Sequence, residues 1–171
     1  LLGLGHRAFG YVSGPAGNFN ELGRWGGFRD ALAAAGIAEA AVARYAGSFH
    51  VATGAAAVRA FLAGDARPTA VFCASDMMAI GFMLKLQSQG LAVPNDVSVV
   101  GFDGIELGTY CSPPLTTVVQ PAEAMARAAA ERVVALLDAA AKGEAGAPAP
   151  LAALPVGLRV ARSTAPPTPS G

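Results

Sequence analysis

Short apolar runs rich in β-branched or aromatic residues alternate along this chain with helical stretches, most of which close at a glycine. Parallel strands of one sheet need a crossover of about a dozen residues or more, and a right-handed helical connection is the usual one. The alternation therefore predicts a doubly wound α/β sheet. The runs are Phe9 to Ser13, Ala41 to Ala46, Thr69 to Ala74, Val97 to Phe102, Thr116 to Val119 and a last one, Val156 to Ala161. Helices are expected from about Asn20 to Ala35, with Leu22, Trp25, Phe28 and Leu32 on one side, and around Ala55 to Ala63. Two more are expected, from Asp76 through Met83 and Leu86 to Gly90 and from about Ala122 to Lys142. Gly36 stands where a left-handed C-terminal cap is needed, and Asp76 is placed to cap the third helix. Gly143 to Pro155 reads as a linker and Thr164 to Gly171 as a disordered tail.

Composition narrows the function classes. The 53% apolar content of the 171 residues is inflated by 39 alanines, yet enough large side chains are left for a real core. Lys plus Arg balances Asp plus Glu at 12 each with no basic run, so this stretch lacks the electrostatic footprint of a nucleic-acid binder. No run has the length of a membrane span, and the longest helical candidate carries Glu123, Arg127, Glu131, Arg132 and Asp138, which implies a soluble chain with no membrane partner. Leu1-Leu2-Gly3-Leu4-Gly5 has neither a Met nor the basic region of a secretory signal and reads as the interior of a longer protein. Cys73 and Cys111 lie in a strand and a loop, which argues against a disulfide framework and for a reducing, cytoplasmic compartment.

In an open parallel sheet, ligands bind beyond the carboxyl ends of the strands. Those ends present Ser13 and Gly14, Gly47 to Phe49, Ser75 and Asp76, Asp103, and Gln120. The set is polar with one aromatic ring and suits a neutral polyhydroxylated ligand, because carboxylates and amides bond vicinal hydroxyls and an aromatic face packs on ring C–H groups. Each residue also has a plain structural reading. Asp76 reads equally as a helix cap, Phe49 as a core side chain, Arg24 as a solvated arginine and Asp103 as a loop-turn residue. Gly3-Leu4-Gly5-His6-Arg7-Ala8 matches G-x-G-x-x-G/A but precedes a strand instead of following one, so no dinucleotide site is inferred. His6 and His50 stand apart from carboxylates and cysteines, so neither a metal nor another cofactor is expected. No nucleophile elbow or phosphate loop occurs, and enzyme chemistry has no support.

Six stretches resemble the effector-binding domain of the LacI/GalR family of transcriptional regulators, whose fold is that of type I periplasmic binding proteins. They are Leu4 to Gly14, Arg24 to Leu32, Thr69 to Ala79, Val93 to Asp103, Pro113 to Gln120 and Arg162 to Ala165, in family order over nearly the whole chain. The resemblance implies that residues 1–119 are the C-terminal subdomain of the effector-binding domain. Residues 120–155 are then crossover, helix and linker of a largely missing N-terminal subdomain, 156–163 a returning strand and 164–171 the tail. It further implies an effector, a sugar or sugar derivative, held by Arg24, Phe49, Asp103, Gln120, Ser75, Asp76, Asn18 and Asn20. Homodimerisation through Ile80, Met83, Leu84 and Tyr110 is implied, as is operator binding through an N-terminal helix-turn-helix outside this chain. Ser75 stands where many members have Asn, and Ala122 where several have an aromatic residue, which implies a roomier pocket. The apolar residues Met125, Val133, Val134, Leu136 and Leu137 are expected to face the missing subdomain. A solute-binding protein of a sugar transport system shares the same fold and pocket and is the alternative reading.

Overall fold

The computed structural model describes residues 1–64, 67–143 and 153–168. Strands β1 (Phe9–Val12), β2 (Ala43–Tyr45), β3 (Ala70–Cys73), β4 (Ser98–Asp103), β5 (Thr116–Val119) and β6 (Gly157–Arg159) form a six-stranded sheet in the order β2-β1-β3-β4-β5-β6. Strands β1 to β5 pair in parallel. Helices are α1 (Phe19–Ala34), α2 (Val51–Ala63), α3 (Asp76–Ser88) and α4 (Ala122–Ala141). The chain winds from β1 outward to β2, then returns past β1 to β3, so the direction of winding reverses between β1 and β3. Such a reversal opens a crevice beyond the carboxyl ends of the two strands. Contacts divide the chain into two compact units, Leu1–Val119 with Leu158–Gly171, and Gln120–Gly157.

In the first unit, alternation along β1 and β3 assigns side chains to two faces. Tyr11 and Phe72 are register partners and stack with ring centroids 5.7 Å apart. Trp25 and Phe28 of α1 close on them, at 4.9 Å from Tyr11 and 5.4 Å from Phe72 respectively. Burying a ring as fully as Tyr11 contributes about 2–3 kcal/mol. The other face carries α2 and α3, whose backbones touch where they cross. A Cβ on Gly54 would collide with the Met78 carbonyl, and one on Gly81 with that of Val51, so only glycine permits this approach.

Of the expected dimer surface, part is buried and part exposed in the single chain. Ile80 and Met83 are only 5% and 2% exposed within the single chain, whereas Leu84 and Tyr110 are exposed. Leu22 is likewise exposed, although its spacing put it with Trp25 and Leu32, which are buried. Helix α2 begins at Val51, four residues before its expected start. Its first turn contains Val51, Thr53 and Gly54, poor helix formers whose start is fastened instead by Thr53 Oγ1 accepting from the Ser48 amide at 3.1 Å. The cap of α3 is Ser75, not Asp76: the Ser75 hydroxyl accepts from the Met78 amide at 3.3 Å.

The expected disordered tail is, over residues 164–168, an ordered strap. Ser163 Oγ donates to the Val99 carbonyl at 2.6 Å and accepts from the Thr116 amide at 2.9 Å, which stitches the segment across the starts of β4 and β5. Ser98 and Ala165 exchange two bonds of 3.0 Å, and Thr168 Oγ1 donates to the Asn95 carbonyl at 2.9 Å. His6 is buried beneath the strap, with Nε2 2.8 Å from the Ala165 carbonyl and Nδ1 2.9 Å from Thr69 Oγ1. Proline-rich composition hid this order because the bonds that hold the segment are all long-range. Residues 169–171 of the expected tail, and 144–152 of the expected linker, lie outside the described residues.

The second unit is dominated by α4, which ends one residue before the expected Lys142. Arg127 pairs with Glu123 one turn earlier at 3.1 Å on its exposed surface. Met125, Val133, Val134, Leu136 and Leu137 are exposed.

Candidate functional site

Arg24 sits in the second turn of α1, whose N-terminus is fixed by Asn18 Oδ1 accepting from the Asn20 and Glu21 amides at 2.9 and 3.2 Å. From there the guanidinium reaches the strand ends. It donates to the Ala74 carbonyl just past β3, and its Nη2 lies 3.1 Å from Asp103 Oδ1 at the end of β4. Its carbon lies 4.1 Å from the Phe102 ring centroid and 5.5 Å from that of Phe49. Cation–π attraction to these rings supports the geometry that the two polar bonds set. Arg24 and Asp103 side chains keep 13% and 26% exposure, so the pair is accessible at one end of the sheet without being loose.

Backbone strain converges on the same place. Among the described residues, the non-glycine positions with positive φ are Phe49 at 65° and Asp103 at 125°. A bulky or charged L-residue held there costs on the order of 1–3 kcal/mol, and such residues cluster where a ligand is to be held. For Asp103 the cause is visible. Asp76, fully buried, accepts through Oδ2 from the Gly104 and Ile105 amides at 2.8 Å each and through Oδ1 from the Thr117 hydroxyl. Its carboxylate therefore shapes the turn that aims Asp103.

The eight residues expected to hold an effector thus separate by position. Arg24, Phe49 and Asp103 come together at the strand ends. Ser75 and Asp76 lie beneath them, buried, with their oxygens engaged by backbone amides and Thr117. Asn18 caps α1, Asn20 is exposed on its first turn, and Gln120 belongs to the second unit. Asp76 accepts from the Gly104 and Ile105 amides and the Thr117 hydroxyl, and Ser75 from the Met78 amide, so both side chains hold the turns around the strand ends.

Sequence reasoning missed Glu21. It is 4% exposed, and its Oε2 accepts from the Gly14 amide at 2.6 Å and from the Tyr11 phenol at 3.3 Å. Burial pushes the Tyr11 phenol well above its ordinary range, and the neighbouring Glu21 carboxylate adds to that rise. Oε1 of Glu21 is buried and finds no hydrogen-bond partner among the described residues, a cost of about 1–3 kcal/mol. Three residues after Asn18, Glu21 has capping-box spacing, the one available signal; the side chain turns inward instead of back to the cap. A Cβ on Gly14 would have to displace the Phe49 ring, which occupies that position.

Among the described residues no group of three or more His, Cys, Asp and Glu could hold a metal ion, and no helix is long and apolar enough to cross a membrane. A family model for a periplasmic binding protein-like domain matches residues 1–164. The chain is 37% identical to the ribose operon repressor of Haemophilus influenzae over 134 residues, which are 78% of this chain and 40% of that protein. It is 43% identical to the HTH-type transcriptional repressor PurR of Vibrio campbellii over 121 residues, 71% of this chain and 36% of that one. A solved LacI-family sugar-binding transcriptional regulator from Escherichia coli, complexed with phosphate, superposes with a TM-score of 0.82 at 32% identity, covering 97% of this chain and 58% of its own. The chain therefore spans well under half the length of these curated relatives. With the fold and nearly the whole sequence matched, the chain belongs to the periplasmic binding protein-like domain family, in its LacI/GalR branch.

Proposed function

We propose that this chain is the effector-sensing and dimerisation part of a DNA-binding transcriptional regulator whose effector is a sugar or a related small metabolite. The observation that carries the reading is the Arg24–Asp103 pair at the end of the sheet, with the Arg24 guanidinium against the rings of Phe49 and Phe102. Its carboxylate accepts from ligand hydroxyls, its guanidinium donates to ring or hydroxyl oxygens, and an aromatic face covers sugar C–H groups. The names of the ribose operon repressor and of the sugar-binding regulator point the same way.

Residues 1–119 and 156–163 form one lobe in this reading, and residues 120–155, with Gln120, belong to a second lobe. An effector that touches both favours their closed arrangement, and its difference in affinity between open and closed states, ~1–3 kcal/mol of coupling, is transmitted to a helix-turn-helix outside this chain that binds operator DNA. Leu84 and Tyr110 contribute to a homodimer. The test is a thermal-shift screen of the full-length protein against sugars, nucleobases and sugar acids, followed by calorimetry of the best compound. Binding that survives in Asp103→Ala at wild-type affinity would overturn the reading.

A further inference from the structure

The Glu21 carboxylate is divided between a satisfied and an unsatisfied oxygen. Oε2 takes both local donors, the Gly14 amide at 2.6 Å and the Tyr11 phenol at 3.3 Å. Oε1 takes none, although the residue is 4% exposed. A second, independent feature lies beside it. The Phe49 ring fills the space where Gly14 would carry a Cβ, and Glu21 Oε2 meets that same point at 3.0 Å, so ring and carboxylate are neighbours over one glycine. Phe49 is held there at φ 65°, a left-handed backbone that a bulky residue adopts only under constraint. The Arg24 guanidinium lies 5.5 Å from the same ring.

We propose that Glu21 is a specificity-determining residue: when the Phe49 ring swings off Gly14, Oε1 accepts a hydrogen bond from a hydroxyl or ammonium group of the ligand. This rests on the reading of the Arg24–Asp103 site as an effector site. Because a carboxylate oxygen in this position can only accept, the ligand must bring the donor. A carboxylate or phosphate on the ligand would face Glu21 as a like charge, and the Arg24 charge that could offset it is already balanced by that of Asp103, which leaves Arg24 a donor to neutral oxygens. The site therefore selects neutral or cationic polyhydroxylated ligands against anionic ones.

Glutamine separates this role from a structural one. In Glu21→Gln the amide oxygen still serves Gly14 and Tyr11, but the free position becomes an NH2 donor, so a ligand donor meets a donor. The experiment is titration calorimetry of the full-length protein with D-ribose, D-glucose, D-glucosamine, D-gluconate and glucose 6-phosphate. Wild type is expected to bind at least one of the first three, and neither anion as tightly. Glu21→Gln, shown folded by circular dichroism, is expected to lose about tenfold or more of that affinity. Unchanged binding by Glu21→Gln, with binding lost in Asp103→Asn, overturns the role of Glu21 and leaves the effector site standing. Preference of the wild type for gluconate or glucose 6-phosphate overturns the charge selection, a result that needs no variant. Failure of all five compounds to bind overturns this inference, while the effector reading beneath it is decided separately by the wider screen and by Asp103→Ala.

Discussion

Arg24 Nη2 lies 3.1 Å from Asp103 Oδ1, and the other terminal nitrogen of the same guanidinium donates to the Ala74 carbonyl. One side chain of α1 thus ties the end of β4 to the end of β3 at the mouth of the crevice. Because both partners keep some exposure, solvent screens the pair and its contribution to folding is modest. Arg24→Met is expected to lower stability by about 1–2 kcal/mol, the loss including the Ala74 bond, in urea denaturation. Effector affinity should fall about tenfold or more, since the removed charge is also the ligand's donor. Asp103→Asn should separate the two effects, with less than about 1 kcal/mol lost from folding but about tenfold or more lost from effector affinity.

Asp76 behaves oppositely. It touches no solvent, and removing its carboxylate strands the Gly104 and Ile105 amides and the Thr117 hydroxyl together. Asp76→Ala is expected to destabilise the protein by about 3–4 kcal/mol, and binding falls with it because the turn no longer aims Asp103. Asp76→Asn keeps one acceptor oxygen for the two amides, and the Thr117 hydroxyl can accept from its NH2, so the cost should drop to about 1–2 kcal/mol. Urea midpoints of the two variants measure the difference directly.

These two residues show what the sequence could and could not carry. Strand and helix order was readable from local periodicity, since each run or helix announces itself within about ten residues. The role of Asp76 was not, because its partners lie 28 to 41 positions away in sequence. Helix α3 is apolar on nearly every side, so Ile80 and Met83 suited a partner subunit as well as an interior, and only the folded chain shows them buried. Arg24, Phe49 and Asp103 were found through the strand-end rule and the resemblance together. Glu21 escaped because a glutamate in a helix first turn reads as a solvated charge.

Folding should respond to acid through His6. The Ala165 carbonyl can only accept, so Nε2 carries the proton of the neutral ring and Nδ1 accepts from the Thr69 hydroxyl. Burial lowers the His6 pKa below its ordinary value of 6.5. The unfolded chain therefore binds more protons than the folded one as pH falls through about 6.5, and by linkage stability is full above that value, declines below it and levels off once the folded-state ring is also protonated. His6→Gln is expected to flatten this part of the stability–pH curve between pH 7.5 and 5. Equal slopes for wild type and variant would remove His6 as its cause.

Leu84 offers a test in which an interface and an interior give opposite answers. Its side chain is 60% exposed, and Tyr110 is 75% exposed with its hydroxyl donating to Glu106 at 3.0 Å. Gln87, one turn beyond Leu84, donates to the Ser112 carbonyl, so the loop that carries Tyr110 is fastened to this half of α3. Leu84→Glu places a charge in solvent within one chain and should change monomer stability by less than about 0.5 kcal/mol. Across a dimer the same charge would be desolvated without a partner, and sedimentation velocity of the full-length protein should show dissociation at micromolar concentration. Ile80→Asp makes the complementary case. Buried within the single chain, it should unfold the protein whatever its oligomeric state, with a loss of several kcal/mol from an unpaired charge in the core. A Leu84→Glu protein that sediments as the wild type does would exclude this face of α3 from the dimer.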